Sequence, residues 1–460
     1  MYIQIRLKNV GATKLYIQQD ASDKENKRFM IVNEDHNHTN IFLKLILEQG
    51  SFKIEYKSQD VEEDDDELKD KLDSLALWVV ETLQKGIELS DAEDFAPNDI
   101  KPYDPSKIRV ETKVFSIGQI YDMINDEDLD ISPDFQRNEV WDDFRKSRLI
   151  ESILLRIPLP VFYFSEDTRG ILSVVDGLQR LSAIKQFMDN KLMLKDLEYL
   201  NNCEKKYYNK ENCKIDDKYI RWINSTQISA NVIDAESPYH VKFDIFRRIN
   251  TGGKPLNSQE LRNCLMNKAT REVLRDKMAE SNEFKIATGG SITNQRMDGQ
   301  ELAMRFIYFY DLYYPHNLIK NYNGQIDVCL DDLVDKLRNL SKEQLEVYEM
   351  KFKTAMNNAH YLFGRHAFRK VYASTEENDG RSLINKALFV SWSVILSQYD
   401  TEMIQSLFEE NSFIQILGQE IETDNEFFNT LSYGTNGAHN IQKAFEMAES
   451  IMNKQFSYNE

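Results

Sequence analysis

The sequence predicts an α+β protein of more than one domain, and three observations predict it. Residues 1–92 read as a small α+β unit, strand-like alternation followed by one amphipathic helix. The stretch 109–256 interleaves short apolar strands with helices, and 257–460 carries almost only helical periodicity. Length agrees. A chain of 460 residues exceeds what one hydrophobic core ordinarily spans, and 41% hydrophobic residues can fill several.

In chain order, Met1 to Leu7 alternates as a strand. The acidic run from Asp60 to Glu67 reads as a solvated loop that also favours the start of a helix, whose stripe is Leu68, Leu72, Leu75, Val79 and Leu83. Pro97, Pro102 and Pro105 stand among Asp and Asn residues and mark a linker at 93–108. Lys113 to Ile124 predicts a strand entering a helix. Phe144 to Leu155 predicts a helix with Leu149, Ile150, Ile153 and Leu154 on one face, stopped by Pro158 and Pro160. Two β-type runs, Val161–Phe164 and Ile171–Val175, flank a turn at Gly170 and predict neighbouring strands. A helix begins near Leu178 with Leu181, Ile184, Phe187 and Met188 facing inward. Asn201 to Asp217 is polar and reads as an insertion loop. Gln227 to Ile233 is another strand, and a helix follows through Phe243, Phe246 and Ile249. Asn257 and Glu260 have capping-box spacing. Later helices are predicted over Glu301–Leu312, Lys342–Leu362, Leu383–Tyr399 and Asn440–Met452, with no fixed-period repeat.

Lys plus Arg number 57 against 76 Asp plus Glu, a net charge of −19, which argues against coating DNA by bulk electrostatics and leaves a local basic groove open. Cys203, Cys213, Cys264 and Cys329 form no C-x-x-C pair and read as reduced thiols of a cytoplasmic protein. No apolar run is long enough to span a membrane, and the start lacks the layout of a signal peptide. None of the seven histidines sits in a recognisable nuclease cassette, and His36-Asn37-His38 reads as a polar loop without a third metal ligand.

Three segments could carry chemistry. In Val174-Val175-Asp176-Gly177-Leu178-Gln179-Arg180 an apolar strand ends at an acid, and a glycine leads into a helix. The unpaired N–H groups of such a helix start favour anions. Gly177 admits a phosphate to the backbone, Arg180 offers a bidentate charge, and Asp176 could hold a metal or orient a water. The same residues also read as a plain turn, with a capping Asp and a surface Arg. Upstream, Gln136 and Arg137 stand between Phe135 and Trp141, either facing a phosphate or forming a loop anchored by aromatics. Downstream, Arg248, Asn250, Gly252 and Gly253 precede the capped helix, as an anion cradle or a flexible turn.

In order and spacing, four blocks resemble the N-terminal domain of GmrSD-type restriction systems, over about residues 108–265. They are Phe135-Gln136-Arg137 with Val140-Trp141, Leu149 to Leu154 with Ile157-Pro158-Leu159-Pro160, Val175 to Leu181, and Phe246 to Leu256. The resemblance implies a ParB/sulfiredoxin-like mixed domain at 109–256, ahead of a mostly helical domain at 257–460. It implies a prokaryotic module that binds and hydrolyses an NTP of unspecified base with Mg2+, used against phage or foreign DNA. The family's Asp-Gly-Gln-Gln-Arg signature maps onto Asp176, Gly177, Leu178, Gln179 and Arg180, with Leu178 in place of the first Gln. Asp176 and Arg180 are thereby the catalytic candidates, and Asp176 is also the metal ligand. Gln136, Arg137, Gly177, Gln179, Arg248, Asn250, Gly252 and Gly253 are the nucleotide contacts. Two alternatives stay open: a non-hydrolytic nucleotide-gated sensor, and a nucleotide-gated DNA-binding or nicking effector using Arg145, Lys146, Arg148 and Arg156. The expected partners are a nucleoside triphosphate, DNA or an effector nuclease, and a second copy of the chain.

Overall fold

The computed structural model describes residues 2–8, 10–20, 27–33, 40–48, 50–83, 109–131, 141–167, 169–237, 239–249, 257–292, 296–410, 413–432 and 435–457. The predicted linker at 93–108 lies outside them. The chain divides into two compact units, residues 100–268 and residues 1–99 with 269–460.

The N-terminal strands form an antiparallel meander, β1 (Tyr2–Leu7), β2 (Gly11–Gln19), β3 (Arg28–Val32), β4 (Ile41–Glu48) and β5 (Ser51–Lys57), paired in sequence order. Helix α1 (Asp65–Leu83) buries Leu68, Leu72, Leu75 and Val79 in one core with Ile3, Ile5, Leu15, Ile17, Leu43 and Leu45. That is the period of a helix meeting the period of strands, as the sequence predicts.

Residues 100–268 build a mixed sheet. Its elements are β6 (Val110–Ser116), α2 (Ile117–Asn125), β7 (Leu129–Asp130), α3 (Asp143–Leu154), β8 (Phe162–Glu166), β9 (Leu172–Asp176), α4 (Leu178–Met188), α5 (Asp217–Ser225), β10 (Gln227–Ile233), α6 (Tyr239–Ile249) and α7 (Ser258–Leu265). The strand order is β6-β10-β8-β9-β7. Strand β10 runs antiparallel to β6 and parallel to β8, whereas β8 and β9, predicted as neighbours, pair antiparallel. Capping side chains set two helix starts: Ser116 accepts from the Gln119 N–H, and Asp142 from the Arg145 N–H. The Asn257–Glu260 capping box opens α7.

The stretch 201–217 is not a bare loop. A 3₁₀ turn at Asn201–Cys203 opens it, Cys203 and Ile215 are buried, and Tyr208 meets Phe187 edge-on at 5.8 Å. Its hydroxyl accepts from Asn224 Nδ2 at 2.7 Å.

The remaining chain is helical: α8 (Lys268–Glu272), a π-helical turn at Val273–Ala279, α9 (Asn282–Ala287), α10 (Asp298–Tyr313), α11 (Ile326–Arg338), α12 (Lys342–Phe363), α13 (Lys386–Leu396), α14 (Thr401–Glu410), α15 (Phe413–Thr423), α16 (Asn425–Ser432) and α17 (Ala438–Ser457). Helix α13 is buried on every side, as its near-continuous apolar sequence requires. It starts three residues later than predicted, because the Asn385 side chain accepts from the Leu388 N–H and ends the non-helical approach there. An α+β fold with a helical second half is therefore what forms. All four cysteines are free thiols, and no described helix is long and apolar enough to cross a membrane.

Candidate functional site

The site is built at the end of β9. Antiparallel pairing sets Asp176, the last residue of β9, opposite Tyr163 near the start of β8. The chain then turns through Gly177 at φ +102°, ψ +8° and enters α4. This is the left-handed region that glycine adopts without a Cβ penalty. A Cβ at 177 would also stand 2.3 Å from Phe162 Cδ1, so both conformation and space demand glycine.

No side chain caps α4. The N–H groups of Leu178, Gln179 and Arg180 have no hydrogen-bond partner among the described residues. They leave a helix start with its donors and positive dipole end unspent. Asp176 is 39% exposed beside it, and its Oδ2 accepts from Arg180 Nη2 at 2.8 Å. Its Oδ1 has no partner among the described residues.

Arg180 is 12% exposed and reaches back under the turn. Nη1 donates to the Pro160 carbonyl, Nη2 to Val161 at 3.4 Å as well as to Asp176, and the guanidinium lies 4.2 Å over the Phe162 ring. Burial pulls the Arg180 pKa down and the Asp176 charge opposes it. The group stays charged, since arginine does not deprotonate in proteins. Phe162 and the Pro160 and Val161 carbonyls were not read from sequence as site members. The Ile157-Pro158-Leu159-Pro160 block just before β8 is the signal that marks them.

Gln179 Oε1 accepts from the Trp141 N–H at 3.3 Å, which ties the approach to α3 to the turn. Arg248 stands exposed near the end of α6. Gln136, Arg137, Asn250, Gly252 and Gly253 lie outside the described residues. Asp176, Gly177, Gln179 and Arg180 thus share one turn.

Of the four cations considered for DNA, Lys146 donates to Gln186 Oε1 at 3.0 Å, Arg148 pairs with Glu151 and Glu198, and Arg156 lies 4.2 Å over the Trp222 ring. Only Arg145 is exposed with no side-chain partner among the described residues. Glu151 is a mooring point. It is buried and accepts from the N–H groups of Glu198, Tyr199 and Leu200 at 2.7–3.1 Å. Burial pushes its pKa up, but those N–H groups and the Arg148 guanidinium outweigh it and hold the carboxyl below the usual glutamate value. Among the described residues no three His, Cys, Asp or Glu side chains converge to hold a metal ion.

Residues 117–267 match the family model described as GmrSD restriction endonuclease, N-terminal domain. No curated protein and no solved structure matches the chain. The matched segment begins at the first residue of α2 and ends two residues beyond α7, so it contains the whole 176–180 turn and the strands that set it. Over residues 117–267, about a third of its length, the chain therefore matches a GmrSD-type N-terminal domain.

Proposed function

We propose that this domain binds a nucleoside triphosphate at the Asp176–Arg180 turn and hydrolyses it with Mg2+, as the nucleotide-dependent part of a restriction-type defence system. The uncapped start of α4 carries the reading. Three unspent N–H donors and the positive end of a helix dipole stand at a glycine that exposes the backbone, and a phosphate satisfies all of them at once. The free Oδ1 of Asp176 suits Mg2+ or an attacking water. One protein carboxylate is enough for Mg2+, which commonly takes substrate phosphates and waters as its other ligands, and when bound it would neutralise charge on the phosphate oxygens. Arg180 fixes the Asp176 carboxylate and places a positive charge beneath the turn. Gln136, Arg137, Arg248, Asn250, Gly252 and Gly253 complete the nucleotide contacts in this reading.

One observation favours a second reading, the non-hydrolytic sensor. The Arg180 guanidinium is already engaged by two carbonyls and Asp176, so a bound nucleotide could act by redistributing those bonds without turnover. Phosphate release by the full chain with ATP, GTP, CTP and UTP, with and without Mg2+, separates the two. Release that disappears in a folded Asp176→Ala variant supports the hydrolase, and saturable binding without release supports the sensor. Absence of both overturns the site.

A further inference from the structure

A second feature lies beside the turn and is not used by the phosphate reading. Trp141, Phe144, Arg145, Arg148, Leu149 and Ser152 line an open cleft of about 420 Å³ along one face of α3. Phe144 is 43% exposed, and the Arg148 guanidinium sits 5.2 Å from its ring centroid, held there by Glu151 and Glu198. Arg145 presents an exposed guanidinium with no side-chain partner among the described residues. The cleft is tied to the α4 start by one hydrogen bond, because the N–H of its lining residue Trp141 donates to the side chain of Gln179, whose own N–H is one of the unspent donors. Aromatic faces next to an exposed guanidinium suit a flat ring with hydrogen-bond acceptors along its edge.

We infer that this cleft is the subsite for the nucleobase of the triphosphate bound at 176–180, with Trp141 and Phe144 supplying the apolar face and Arg145 a donor to the base edge or ribose. The inference rests on the phosphate-binding reading above and adds to it the part of the ligand that the turn does not touch. The two separate experimentally, because inorganic tripolyphosphate has phosphates and no base. Equilibrium binding of tripolyphosphate and of each of the four nucleotides is measured on the full chain and on Trp141→Ala and Phe144→Ala. Each variant should weaken nucleotides about tenfold, the loss of one stacked base, while tripolyphosphate affinity stays within twofold. Quenching of Trp141 fluorescence by nucleotide but not by tripolyphosphate, absent in Trp141→Phe, reports the same contact without a truncation. Nucleotide affinities unchanged in both alanine variants overturn the base subsite and leave the phosphate site standing. Equal losses for tripolyphosphate and nucleotides also overturn it, since the residues then act only through the turn. If wild type binds neither ligand, both readings fall.

Discussion

The ring of Phe162 fills the space in which a side chain at residue 177 would begin: Cδ1 and Cε1 lie 2.3 and 2.8 Å from the position of a Gly177 Cβ. The same ring carries the Arg180 guanidinium on its face. One buried aromatic on β8 thus selects the glycine of the turn and places the arginine that follows it.

Gly177→Ala is accordingly expected to cost about 2–4 kcal/mol, combining a left-handed backbone that alanine resists with overpacking against a buried ring. Urea unfolding of the variant checks this. A loss under about 0.5 kcal/mol, the scale of a neutral surface change, would mean the turn can relax away from Phe162.

Arg180→Lys tests the bridge. A lysine ammonium cannot reach the Pro160 and Val161 carbonyls and Asp176 together while lying flat on Phe162. Phosphate release is expected to fall at least about tenfold, the loss of one charge-assisted hydrogen bond, with circular dichroism unchanged. Full activity in Arg180→Lys would show that charge alone suffices at this position.

Much of this frame was legible in the sequence. The adjacency of β8 and β9, the start of α4 beside Gly177 and the capping box at Asn257 follow from local patterns, and each forms as read. Arg180 is different. From sequence it reads as a phosphate contact or a surface side chain, whereas the carbonyls and ring that draw the guanidinium under the turn lie 18 to 20 residues upstream, and no periodicity encodes them. Glu151 reads as one polar position on an amphipathic helix, whereas its ligands are backbone groups 47 to 49 residues later. The stretch 201–217 looked like an insertion because so few of its residues are apolar. Two buried residues and one tyrosine are enough to seat it.

That mooring carries a pH signature. A carboxyl held below its ordinary value of 4.5 contributes stability that is fully present above the unfolded value and lost as pH falls through the lower folded one. Glu151→Gln should therefore cost about 2 kcal/mol at pH 7, the scale of hydrogen bonds to a charged group. The gap between wild type and variant should stay constant above the ordinary value of 4.5 and shrink as pH falls through the lower folded one. Thermal melts of both proteins from pH 3 to 8 give the comparison, and a gap that widens toward acid would contradict the assignment.

The most direct test of the anion site changes charge and little else. Gln179→Glu keeps a side-chain oxygen to accept the Trp141 N–H and adds a negative charge to the first turn of α4, which favours the helix. Melting temperature should hold or rise, while affinity for nucleoside triphosphate, measured by titration calorimetry, falls at least about tenfold through repulsion of the phosphates. Undiminished affinity in a folded Gln179→Glu protein would mean that the phosphates do not sit at the start of α4, and the central claim would fail.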